Sequence, residues 1–153
     1  MHNYKKSVKF TLILVYVAIF LLFAMVVALP WIVTWYVEVR GKDAGLPAVI
    51  MLTCYPCVPP VAIALFALKS MLKNILNGLI FGDENICSLN KIAVSSLICG
   101  VITAVAGYFY LPFYFVSLAA FGCAIIIKAI KDTFAAQLEN QREKLYESVR
   151  EEL

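Results

Sequence analysis

Cys54-Tyr55-Pro56-Cys57 is the one segment of this chain whose residue types and spacing match a known reaction. A C-x-x-C pair that begins a helix can open and close as a disulfide, and membrane thiol oxidoreductases use such pairs to pass electrons to a quinone. Two requirements are unmet. Counted from Leu46, Cys54 lies about 8 residues, roughly 12 Å, into an apolar run, where desolvation suppresses the attacking thiolate. A relay also needs a second exposed pair, whereas Cys87, Cys99 and Cys123 stand singly in the sequence. The competing reading of Cys54 and Cys57 is a pair of inert, buried apolar thiols.

Other chemistries lack their residues. The single histidine, His2, sits at the terminus, so no His-ligated metal site and no Ser-His or Cys-His catalytic arrangement can be assembled around it. Proton-coupled transport uses an acid or histidine inside the bilayer, because burying one costs several kcal/mol and is tolerated only for a task. The long apolar runs contain neither Asp nor Glu, and Glu38 falls at the edge of one. No catalytic residue, metal or cofactor is therefore expected. Pro56, Pro59 and Pro60 point to a kinked helix, since each removes a backbone donor and crowds the preceding turn. The carbonyls so released could line a binding site or wet cavity, or be covered by neighbouring helices and the Thr53 hydroxyl.

The elements that hold these residues follow from composition. The chain of 153 residues is 63% hydrophobic, with a mean hydropathy of +0.87, beyond what a water-soluble domain carries. Charged residues are absent from Phe10 to Val37, from Ala44 to Leu68 and from Ile92 to Ile127. The first two gaps each suit one tilted helix across a hydrocarbon core of about 30 Å. The third, as one helix, would reach roughly 54 Å, and its middle reads Gly107-Tyr108-Phe109-Tyr110-Leu111-Pro112. Pro112 suits the first turn of a new helix and the aromatic cluster suits the lipid–water interface, so the gap is read as a hairpin.

The expected fold class is all-α: an integral membrane bundle of four transmembrane helices with cytoplasmic helical extensions. The spans are placed at 10–37, 46–70, 92–109 and 112–131, with a cytoplasmic bend at 71–91 and an amphipathic helical tail at 132–153. Gly78 can end the second helix, and Gly82-Asp83 offers a turn and an N-cap for the third. The basic flank of Lys5, Lys6 and Lys9 also fits a signal peptide, but the apolar run is too long and no small-x-small site precedes Pro30. Trp31, Trp35 and Tyr36 read as interface anchors. Gly100, Ala104 and Gly107 allow close packing of span three within the chain.

Orientation follows from Lys and Arg, which resist translocation. With the N-terminus inside, eleven of the 13 basic residues are cytoplasmic and only Arg40 and Lys42 lie outside, so the topology is N-in, C-in. The formal net charge of +3 is then a topology signal directed at anionic membrane lipids, with no basic stripe for direct nucleic-acid binding. The tail, with Phe134, Leu138, Leu145 and Val149 on one stripe, reads as a solvated helix extension, with a coiled-coil or partner-docking surface as the alternative.

Leu72-Lys73-Asn74-Ile75, Phe81-Gly82-Asp83-Glu84-Asn85, Leu89-Asn90-Lys91-Ile92, Phe109-Tyr110-Leu111-Pro112-Phe113 and the run from Ile127 to Phe134 together form a pattern. It resembles the YoaS-like family of small bacterial four-span membrane proteins, a domain of unknown function often encoded near a helix-turn-helix regulator. The resemblance runs from Leu46 onward, and its most specific part is Phe81 to Ile92. Asn90-Lys91 stands where relatives often have two basic residues, and the usual acidic ending is absent. The resemblance implies the four-span architecture, supplies no catalytic residue, and is compatible with an accessory or immunity-like role in envelope stress or antimicrobial-peptide resistance.

The leading expectation is a multi-pass cell-membrane protein, not an enzyme, that acts through a membrane-protein partner, a homo-oligomer or the bilayer itself. Phe81, Asn85, Leu89 and Lys91 form its candidate cytoplasmic interaction segment. The alternatives are transport of a neutral or lipid-like molecule along the proline-kinked second helix, and thiol–disulfide chemistry at Cys54 and Cys57. The topology has a direct check: an impermeant maleimide applied to intact cells should label Lys42→Cys and leave Glu139→Cys unlabelled. The reverse pattern would overturn the orientation.

Overall fold

The computed structural model describes residues 2–40, 45–80 and 82–151, and they form four helices: α1 (His2–Arg40), α2 (Leu46–Leu76), α3 (Asp83–Gly107) and α4 (Pro112–Glu151). No strand occurs among the described residues, and each helix is long and apolar enough to cross a membrane. The 36-residue charge-free gap is divided, with α3 ending at Gly107 and α4 starting at Pro112. In a hydrocarbon solvent every backbone group needs an internal partner, and continuous helices supply it. α4, with 40 residues, is roughly 60 Å long, about twice the hydrocarbon core, so one of its ends must stand clear of the lipid tails.

Each helix packs on its neighbours in sequence: α1 on α2, α2 on α3, α3 on α4. Among the described residues no close backbone approach joins α1 to α4. Neighbours run antiparallel, as shown by the pairings of Tyr16 with Lys69, Asn74 with Asn85, and Asp83 with Arg142. The start of α1, the bend between α2 and α3, and the end of α4 therefore share one side, here the terminal side. The end of α1 and the turn between α3 and α4 share the other, the turn side.

α3 is the most enclosed helix and α1 the least. The tightest seam is α3 against α4. A Cβ added at Gly100 would stand 3.0 Å from the Phe121 ring, and one at Gly107 would stand 2.8 Å from the Tyr114 ring, so glycine at both positions lets the helices close. Ser117, buried between them, donates its hydroxyl to the Gly100 carbonyl at 2.9 Å. Arg142 and Asp83 add an ion pair at 2.6 Å, but both side chains are more than half exposed, and such pairs contribute under about 1 kcal/mol. Small-residue packing, rather than charge, holds α4 in place.

The bend between α2 and α3 is built by asparagines. Gly78 takes φ +88°, a left-handed conformation that other residues rarely adopt, and with Leu79 it caps α2: the Gly78 amide bonds the Ile75 carbonyl and the Leu79 amide bonds that of Asn74. Asn85 is fully buried. Its side-chain amide donates to the carbonyls of Leu79 at 2.7 Å and Ile80 at 2.8 Å, and its oxygen accepts from Asn74 at 3.1 Å. Asn74 reaches Glu84 as well. These bonds satisfy the carbonyls that leave the helix end and shorten the connection to the residues between Leu76 and Asp83.

Asn85→Ala removes, at a fully buried position, two hydrogen bonds to the connecting backbone and a third from Asn74, so it should lower stability by about 2–3 kcal/mol in detergent unfolding. Asn90→Ala, at an exposed position, should stay within about 0.5 kcal/mol of the parent. Equal effects of the two would refute this account of the bend.

Candidate functional site

Because α1 touches α2 alone while α4 is drawn onto α3, a cleft of about 280 Å³ opens between them, with walls from all four helices. α1 contributes Leu22, Met25, Val26 and Leu29, one apolar face over two turns. α2 contributes Thr53, Cys54, Cys57, Val58 and Val61, and α3 adds Cys99 and Thr103, four residues apart on one face. Phe113 and Val116, in the first turns of α4, complete the wall and place the cleft toward the turn side.

The polar atoms of this wall are already committed. The Thr53 hydroxyl donates to the Val49 carbonyl at 2.7 Å, and that of Thr103 to the carbonyls of Cys99 at 2.8 Å and Gly100 at 3.2 Å. Both threonines are buried. A hydroxyl that donates to its own helix has no proton left for a ligand, so the wall presents an almost wholly apolar surface with a few soft thiol atoms.

The sequence candidates divide. Cys54 and Cys57 both line the cleft, and the structure adds Cys99, whose thiol lies 3.9 Å from the Cys57 carbonyl. Among the described residues no cluster of three or more His, Cys, Asp or Glu side chains is arranged to hold a metal ion. All five cysteines are free thiols. Pro56, Pro59 and Pro60 lie inside α2, which continues through them, and only Pro60 is buried. Prolines at these positions leave the carbonyls of Leu52, Tyr55 and Pro56 without their amide donors.

The residues of the proposed cytoplasmic segment do not form one surface. Phe81 lies outside the described residues, Asn85 and Leu89 are buried within the fold, and Lys91 is exposed. Asn85 is spent on the bend.

At the turn-side end of the cleft a further contact spans the gap. The hydroxyls of Tyr36, near the end of α1, and Tyr110, in the α3–α4 turn, meet at 3.2 Å across 74 residues of sequence. At the other end Lys69 lies over the Tyr16 ring at 4.6 Å and near the Phe66 ring at 5.8 Å, tying α2 to α1.

Sequence reasoning reached Cys54, Cys57 and Thr53 but not the face they share with Cys99 and Thr103. The i, i+4 spacing of Cys99 and Thr103 was the available signal, and it becomes meaningful only once α3 is known to face α2. No family model matches the chain, and no curated protein or solved structure is similar to it.

Thiols in apolar surroundings react slowly. A permeant maleimide should therefore modify exposed Cys87 at least about tenfold faster than Cys57 or Cys99, read by peptide mass spectrometry. If Cys54 or Cys57 becomes reactive only after reductant is added, the pair is bridged in the membrane and the inert-thiol reading is wrong.

Proposed function

We propose that this chain is a non-enzymatic, multi-pass protein of the cell membrane, oriented N-in and C-in, that acts by holding an apolar membrane component in the cleft between α1 and α4. The observation that carries this reading is the cleft itself: walls from four helices, a volume of about 280 Å³, and no uncommitted hydroxyl donor facing it. Ligand pockets begin at roughly 300 Å³, and an engineered apolar cavity of about 150 Å³ already takes up benzene, so a hydrocarbon chain is within its capacity. A helix, about 10–12 Å across with its side chains, is far too large.

Transport of a neutral or lipid-like molecule along the proline-containing α2 has less support than binding in the cleft. It calls for a continuous polar or hydrated cavity reaching Pro59, whereas the cleft wall is apolar and Pro59 is not part of it. Thiol chemistry keeps one point in its favour, the approach of Cys99 to Cys57, and lacks an exposed second pair. The YoaS-like resemblance is proposed as the chain's family and assigns no activity. The charged end of α4, beyond Lys128, is proposed as a cytoplasmic helix extension.

A photoreactive diazirine residue at Val116, a half-exposed residue of the cleft wall, should enrich one lipid-like adduct when irradiated in native membranes. At the adjacent, outward Phe115 it should give a broad mixture of bulk lipids. Matching adducts at the two positions would defeat the proposal, and a protein adduct at Val116 would replace the lipid with a partner chain.

A further inference from the structure

The cleft has one side wall, α1, that is held differently from the others. Its buried side chains are Val15, Leu29 and Val33, and its backbone packs only on α2. Pro30 interrupts it between the cleft-lining turns and the turn-side end. Lacking an amide proton, Pro30 leaves the carbonyl of Val26, a wall residue, without its helical donor, and the ring weakens the helix at that point. The Thr34 hydroxyl bonds the Pro30 carbonyl at 2.8 Å, a contact of the kind that bends helices further. Beyond this joint Tyr36 meets Tyr110 of the α3–α4 turn, next to Phe113 of the opposite wall.

We propose that the part of α1 beyond Pro30 is a lateral gate for the cleft, hinged at Pro30 and clasped shut by the Tyr36–Tyr110 hydroxyl pair. The inference rests on the reading of the cleft as an occupied site and adds how its occupant enters: sideways from the bilayer, between α1 and α4. One neutral hydrogen bond is a suitable clasp. Its net worth is small enough to break on a useful timescale, yet losing it multiplies the open population by about two to ten. The separation of hinge from clasp makes the two parts independently testable.

The experiment uses the full chain in lipid nanodiscs with its five cysteines replaced by Ala and spin labels at Val39→Cys and Leu111→Cys, both exposed positions on either side of the clasp. Tyr36→Phe keeps the ring and removes the hydroxyl. It should add a longer-distance population about two- to tenfold above the parent's. Tyr110→Phe should do the same, and the double variant should add no more than either alone. Pro30→Ala, which restores the donor to Val26, should shrink that population. Distance distributions unchanged by all three variants, with unfolding midpoints like the parent's, would overturn the gate. Adduct formation at Val116, measured in parallel, separates the two claims. If distances shift but no cleft adduct forms in any variant, the hinge and clasp stand as a movement of α1, while its role in admitting an occupant fails with the occupied-cleft reading.

Discussion

The close approach of α3 and α4 at Gly100 and Gly107 governs the rest of the molecule. Lipid offers no hydrophobic drive for helices to associate, so they are held by contact and by a few interhelical hydrogen bonds. Two glycines that admit the Phe121 and Tyr114 rings, with Ser117 bonded to the Gly100 carbonyl, give α3 and α4 the most intimate seam in the structure. That seam turns α4 toward α3 and away from α1. An interhelical hydrogen bond in a membrane contributes about 0.6–2 kcal/mol, and the exposed Arg142–Asp83 pair less, so shape matters more than charge here.

What α4 gives to α3 it withholds from α1. The first helix is left with one backbone neighbour and a broad outward face on which Phe20, Val27 and Trp31 are largely exposed, a surface suited to lipid tails and, at Trp31, to their headgroup boundary. The gap between α1 and α4 is the cleft. Its threonine hydroxyls are turned back onto their own helices, and a contact across its mouth joins two phenols, groups that favour the level where hydrocarbon meets headgroup. The proposed apolar occupant, its lateral entry and the closure at the turn side would therefore have one origin in unequal helix packing.

The four helices were legible because charge is costly in hydrocarbon: the charge-free gaps mark the crossings, and Gly107 to Pro112 marks the division of the longest. Gly78 and Gly82 likewise signalled the bend, since one takes a left-handed conformation and the other is the N-cap of α3. The cleft was not legible. In α1 every face is apolar, so hydrophobic periodicity cannot separate a protein-facing side from a lipid-facing one. Cys57 and Cys99 are 42 residues apart, and only tertiary packing brings them together. Asn85 belongs by sequence to the candidate interaction segment, with the Phe81 to Ile92 stretch, whereas here it is enclosed as the bend's internal bracket.

The central claim is that one apolar molecule occupies the space between α1 and α4. Native mass spectrometry of the protein released from its own membrane tests this most directly. The account predicts one retained lipid-like molecule per chain, retained less in Val116→Trp, which adds bulk at the cleft wall, and kept in Phe115→Trp, which lies outside the wall. Equal retention in both variants, or no retained molecule in the parent, would contradict it.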